Sequence, residues 1–85
     1  MADRTIKSPY PGTFYRRSDP NAEPYASEGD TIGQGDVVGL VEIMKNFFEV
    51  TSDQTGVVER FLVENEGLVE AGQDLVIVAD TPSGS

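Results

Sequence analysis

One lysine stands out because of where the neighbouring residues place it. The run Glu42-Ile-Met-Lys45-Asn lies between two predicted strands, one ending at Met44 and one beginning at Asn46, so Lys45 occupies the turn of a hairpin. Such a tip exposes a side chain on a rigid support, which suits a residue that one enzyme modifies and others must reach. The only other lysine is Lys7. Spacing alone nevertheless favours an ordinary solvated turn lysine.

The composition argues against most other chemistry. The 85 residues include no cysteine and no histidine, so zinc sites and nucleophile-histidine catalysis lack their usual side chains. A net charge of −9 repels phosphate backbones and anionic membrane surfaces. The longest apolar runs, such as 75–79, are too short to cross a membrane. We therefore expect one small cytoplasmic domain that binds neither nucleic acid nor membrane.

Glycine and proline divide the chain into short stretches rich in Val, Ile and Phe, a rhythm typical of all-β proteins. No window sustains the apolar periodicity of a helix. We predict eight strands, which run approximately over 4–8, 12–16, 31–32, 37–44, 46–51, 56–64, 68–69 and 74–80.

An internal repeat suggests how these strands are arranged. Residues 31–41 align with 68–78 at an offset of 37, which pairs Gly35 with Gly72 as turn glycines, and Gly12 aligns with Gly56 at an offset of 44. The difference of seven residues falls within 17–24, a segment of turn-like composition. The repeat predicts two similar four-stranded sheets, related by a pseudo-twofold axis and packed face to face, with one protruding loop. Chance similarity between Val- and Gly-rich strands remains the alternative.

Other conspicuous residues have ordinary interpretations. Phe47 and Phe48 are successive strand residues, so at most one of them enters the core. Tyr10 and Tyr15 are expected in the core or at its rim. Four carboxylates fit no calcium-loop pattern and are expected to form a solvated acidic surface; they are Glu59, Glu64, Glu66 and Glu70.

Residues 6–80 resemble the biotinyl domain of biotin carboxyl carrier proteins, most closely the carrier subunit of bacterial acetyl-CoA carboxylase. The matching stretches are Ser8-Pro9, Gly12-Thr-Phe-Tyr-Arg16, Gly35-Asp36, Val41-Glu42, Met44-Lys45, Ser52, Gly56-Val-Val58 and Leu62-Val-Glu-Asn65. The resemblance implies an all-β, flattened pseudo-twofold barrel of two four-stranded antiparallel sheets, between a tail at 1–5 and a flexible tail at 81–85. The mobile linker that usually precedes this domain is absent, which fits either a short carrier or an excised domain.

The resemblance also implies the site residues. Biotin would be joined to Lys45 by an amide, and a biotin protein ligase would recognise the flanking Glu42, Ile43, Met44 and Asn46. The loop at 17–24 would be the family's "thumb", formed by Arg17, Ser18, Asp19, Pro20, Asn21, Ala22, Glu23 and Pro24. Its first residue, Arg17, replaces a small hydroxyl residue of acetyl-CoA carboxylase members.

Two residues beside Lys45 depart from the family's Glu-Ala-Met-Lys-Met. Ile43 replaces the small residue, and Asn46 replaces the second Met. Both changes suit the hairpin, since Ile favours strands, and Asn suits a tight turn because its side chain can bond locally and it tolerates the left-handed conformation.

The implied function is that of a carrier without catalysis of its own. Biotin on Lys45 would be carboxylated by a biotin carboxylase subunit, and the carboxybiotin would be carried to a carboxyltransferase subunit for malonyl-CoA formation in fatty acid biosynthesis. Three alternatives stay open: a lipoyl carrier, an unmodified interaction module of the same fold, and a biotin carrier for another carboxylase or a decarboxylase.

Overall fold

A computed structural model describes residues 4–80, which form eight β-strands. These are β1 Arg4–Lys7, β2 Gly12–Tyr15, β3 Thr31–Ile32, β4 Val37–Ile43, β5 Asn46–Thr51, β6 Gly56–Phe61, β7 Gly67–Val69 and β8 Asp74–Ala79. The all-β prediction is therefore confirmed. The predicted flexible segment 81–85 lies outside the described residues.

The eight strands form two four-stranded antiparallel sheets. The first sheet has the order β1-β8-β6-β3, and the second has the order β5-β4-β2-β7. The repeat relates β1 to β5, β8 to β4, β6 to β2 and β3 to β7. With these substitutions the order of the first sheet becomes the order of the second, so the topology confirms the predicted internal repeat. Gly35 and Gly72 have φ angles of 94° and 83°, and glycine adopts this left-handed region without the strain caused by a Cβ atom.

The core lies between the two sheets and consists mainly of valine. Strand alternation directs one face of each sheet inward, where Phe14 of β2 and Leu75 of β8 are fully buried. Burying a side chain of this size stabilises the fold by roughly 1.5–3 kcal/mol. The other buried apolar residues are Ile6, Ala26, Ile32, Val38, Val41, Val50, Val58, Val69, Val76 and Val78.

Most predicted strand boundaries hold within one residue, but β6 ends at Phe61 rather than Glu64. The chain must leave the first sheet here to begin β7 in the second. Glu66 completes the crossing with a φ of 71°, and its amide donates to the carbonyl of Phe14. At the other end, β1 begins at Arg4, so pairing with β8 already includes two residues of the expected tail at 1–5.

Candidate functional site

The β4–β5 hairpin ends in a turn of only two residues, Met44 and Lys45. Ile43 pairs with Asn46 across it, and the two turn residues have φ angles of 50° and 70°. Positive φ at both positions is the geometry of the type I′ turn, whose twist matches the flanking strands. Neither residue is glycine, asparagine or aspartate, so the turn carries backbone strain. The predicted placement of Lys45 at a hairpin tip is confirmed.

Both turn side chains are exposed to solvent. Met44 is 88% exposed, the largest exposed fraction among the large hydrophobic residues of the range 4–80. Lys45 is exposed and makes no ion pair within the described part of the chain, whereas Lys7 pairs with Asp74. The two lysines therefore differ: among residues 4–80, the amine of Lys45 has no partner, whereas that of Lys7 is paired.

The residues flanking the turn are both strand residues. Ile43, the last residue of β4, is half-buried and packs against the core, as its strand preference suggests. Asn46 is the first residue of β5 and is not left-handed. The left-handed positions of the two-residue turn are Met44 and Lys45, so the tolerance of Asn46 for that conformation is not used. The expected local bond of its side chain is present, because its amide lies 3.5 Å from the Met44 carbonyl oxygen.

Glu42 is held by a tyrosine on the neighbouring strand. The Tyr15 hydroxyl donates a hydrogen bond of 2.9 Å to Glu42 Oε1. This bond raises the pKa of Tyr15 above its usual value, because a phenolate could not donate to the carboxylate. Partial burial also raises this pKa, because it disfavours the charged phenolate. A carboxylate is thereby anchored three residues before Lys45.

The two phenylalanines after the turn both stay outside the core. Phe47 is 57% exposed and its ring lies 6.0 Å from that of Tyr15, while Phe48 is 37% exposed and lies 4.8 Å from Tyr10. The prediction that at most one enters the core holds. Both tyrosines are rim residues, as expected.

The predicted thumb is a compact loop closed at its base. Arg17 forms an isolated bridge with Pro24, and the amide of Tyr25 donates to the carbonyl of Arg16 at 2.8 Å. The Arg17 guanidinium donates to the carbonyl of Ala22 at 3.3 Å. Five thumb residues are exposed, namely Ser18, Asp19, Pro20, Asn21 and Glu23. The other three, Arg17, Ala22 and Pro24, are half-buried.

A pocket of about 190 Å³ lies between the thumb and the outer face of the second sheet. Its lining is Tyr15, Arg17, Ser18, Asp19, Pro20, Leu40, Phe47, Asn65 and Glu66. The thumb thus adjoins the sheet that carries Lys45. Arg17, where the resemblance implies a small hydroxyl residue, is among the residues that line this pocket.

The four carboxylates at positions 59, 64, 66 and 70 are exposed, in agreement with a solvated acidic surface. Within residues 4–80, no group of three or more Asp or Glu side chains is arranged to hold a metal ion. No helix of that range has the length and apolar character needed to span a membrane.

The bond between Tyr15 and Glu42 was not predicted from the sequence. Thr13 pairs with Glu42 across β2 and β4, so Tyr15 lies two residues further along the same face. Alternation could have placed each residue on an outer face, but it does not say which strands are neighbours.

Comparison with known proteins agrees with this geometry. The model of the family described as "Biotin-requiring enzyme" matches residues 4–78. The biotin carboxyl carrier protein of acetyl-CoA carboxylase from Haemophilus influenzae is 31% identical over 92% of the chain and 50% of its own length. The proteins of the same name from Streptococcus pyogenes and Chlamydia trachomatis are 37% and 40% identical, over 84% and 82% of the chain and 43% of their own lengths.

Among solved structures, the Kluyveromyces lactis urea carboxylase has a similar domain. The TM-score is 0.75 at 28% identity, over 93% of this chain and 6% of the carboxylase. The chain spans about half or less of each of these relatives. Because the family model covers nearly all of its residues, the chain belongs to the family of biotin-requiring enzymes.

Proposed function

We propose that this chain is a biotin carboxyl carrier, with biotin attached to Nζ of Lys45. The observation that carries the proposal is the strained two-residue turn, which presents an exposed lysine without an ion-pair partner in residues 4–80, in a member of a biotin-requiring family. The relatives named as carriers of acetyl-CoA carboxylase support the same role. The carrier itself catalyses no step.

Lys45 suits the attachment chemically. An amide forms when the neutral amine attacks the activated carboxyl group of biotin, the bond from the carbonyl carbon to the activating group breaks, and a proton leaves the nitrogen, so the charge of the ammonium is lost. The modified tip then enters a partner's active site without the cost of desolvating a cation. When bound, biotin accepts a carboxyl group and later releases it to an acceptor.

The hairpin supplies position and reach. Its turn residues are linked to the core through β4, where Val41 is fully buried, so the attachment point has a rigid base. Tethering makes each delivery effectively intramolecular, with an effective concentration on the order of millimolar. We propose that a biotin protein ligase recognises Glu42, Ile43, Met44 and Asn46 around the lysine.

The partners follow from the relatives rather than from any contact seen here. We propose a biotin carboxylase subunit and a carboxyltransferase subunit as partners, and acetyl-CoA as the acceptor, which gives malonyl-CoA. Reconstitution with both subunits of an acetyl-CoA carboxylase tests this assignment through malonyl-CoA formation. No turnover with acetyl-CoA, together with turnover by the partners of another carboxylase, would reassign the acceptor.

Attachment is tested by intact mass after co-expression with a biotin protein ligase. Native chain and Lys7→Arg should each gain one biotinyl group, while Lys45→Arg, which keeps the charge but cannot form the amide, should gain none. Lys7→Arg is the matched control because it leaves the hairpin untouched. A lipoyl mass, or no added mass on the native chain, would contradict biotin attachment.

A further inference from the structure

The outer face of the second sheet brings a tyrosine and a carboxylate together beside the hairpin. Phe14 and Val41 are fully buried, so the alternating neighbours Tyr15 and Glu42 point to the opposite, outer face. Thr13 lies directly across from Glu42, which makes Tyr15 its diagonal neighbour. An aromatic side chain can reach its diagonal neighbour on a sheet. Here the Tyr15 hydroxyl donates a hydrogen bond of 2.9 Å to Glu42 Oε1.

The tyrosine is itself held in place. Its ring packs 6.0 Å from that of Phe47, and Leu40 pairs with it across β2 and β4. Tyr15 Oη is the one side-chain donor that Glu42 has within residues 4–80, so Oε2 of the carboxylate has no side-chain partner in that range. One oxygen is therefore anchored, and the other keeps its charge available for an incoming cation.

We propose that Tyr15 is a positioning residue for biotin attachment, because its hydroxyl presents the Glu42 carboxylate to a cationic side chain of the biotin protein ligase. The proposal rests on the proposed function, since it assumes that a ligase modifies Lys45. A free glutamate loses rotamer entropy when it is immobilised on docking, whereas a carboxylate that is already anchored loses less. The benefit therefore belongs to docking and not to the chemical step at the lysine.

Steady-state biotinylation of the native chain, Tyr15→Phe, Glu42→Ala and the double variant tests this role. Tyr15→Phe keeps the ring and removes only the hydroxyl. We expect its KM to rise about three- to tenfold, with kcat unchanged, because the released carboxylate must then lose its rotamer freedom on docking. In the Glu42→Ala background, Tyr15→Phe should have no further effect, because the group that it positions is gone.

Tyr10→Phe is the matched control, because Tyr10 also stacks on a phenylalanine of β5 but makes no bond to Glu42. It should leave KM unchanged. An unchanged KM in Tyr15→Phe, a loss in kcat instead of KM, or a full additional effect in the Glu42→Ala background would overturn the positioning role while leaving biotin attachment intact. A native chain that is never labelled would overturn both proposals.

Discussion

Ser8 and Ser52 make the same contacts at equivalent points of the two halves. Each is buried, and each hydroxyl donates 2.6 Å to the carbonyl two residues ahead, of Tyr10 and Gln54 respectively. The carbonyl of Ser8 accepts from the amide of Gly72, and that of Ser52 accepts from the amide of Gly35. Each serine therefore connects a turn of its half to the adjacent sheet through buried hydrogen bonds.

We expect Ser8→Ala and Ser52→Ala to lower the free energy of unfolding by similar amounts. Each change removes the donor for a partly buried carbonyl, which costs about 1–3 kcal/mol. Urea denaturation measures the loss, and Ser18→Ala in the exposed thumb serves as the control with little change expected. A large loss at one serine with none at the other would show that the equivalence is geometric but not energetic.

Met44→Asn should stabilise the hairpin and impair modification. Asparagine tolerates positive φ better than other non-glycine residues, so relief of turn strain should add about 0.5–1 kcal/mol to the free energy of unfolding. Loss of the exposed thioether should slow biotinylation, because the ligase would meet a polar side chain in its place.

Met44→Leu is the control for that variant, since it keeps an apolar side chain and relieves no strain. It should retain most of the labelling and none of the stabilisation. Urea midpoints and initial labelling rates are the two measurements. Fast labelling of Met44→Asn would show that the ligase does not contact this side chain.

Restoring the family pattern beside the lysine should change the labelling rate only modestly. The double variant Ile43→Ala, Asn46→Met tests whether the native residues have cost the chain its ligase contact. Because Ile43 is half-buried against the core, its truncation should also lower stability by about 1 kcal/mol, less than for a fully buried isoleucine. Initial rates with the same ligase compare the two chains. A native chain that stays unmodified while the double variant is labelled would contradict the carrier role.

The ion pair between Lys7 and Asp74 should contribute to stability at neutral pH and lose its effect in acid. The Lys7 ammonium and the Thr5 hydroxyl donate to Oδ1 of Asp74 and hold the pKa of this carboxyl below its usual value. A lowered folded-state pKa gives stability that is present above the unfolded-state pKa of about 3.9 and is lost as the pH falls through the folded-state value.

The difference in unfolding free energy between the native chain and Asp74→Asn should therefore be largest at pH 6–7 and should shrink once the pH falls below about 3.9 and through the lowered folded-state pKa. Urea titrations at low salt across this range measure it. Asp53→Asn is the control, because Asp53 is exposed and makes no ion pair within residues 4–80. A difference that is independent of pH would show that the ion pair contributes nothing.

The position of Lys45 could be predicted from local sequence because a hairpin is a local structure. Apolar strands end and begin within a few residues of it, and the turn needs no distant contact to form. The repeat could likewise be predicted from the sequence, since Gly35 and Gly72 mark equivalent turns whose positive φ angles only glycine adopts without strain. The end of β6 could not be predicted from the sequence. The chain leaves the first sheet after Phe61, although the apolar run continues to Val63.

By itself, then, the sequence determined the strand content, the two halves and the exposed lysine, all of which depend on alternation, turn chemistry and residues near one another in the chain. Only the tertiary structure decided which side chains meet on the outer face of the second sheet. Tyr15 and Glu42 are 27 positions apart and become neighbours because β2 pairs with β4 in one register. Strand register comes from burial of Phe14 and Val41 on the inner face, so the pairing beside Lys45 follows from packing on the other side of the sheet.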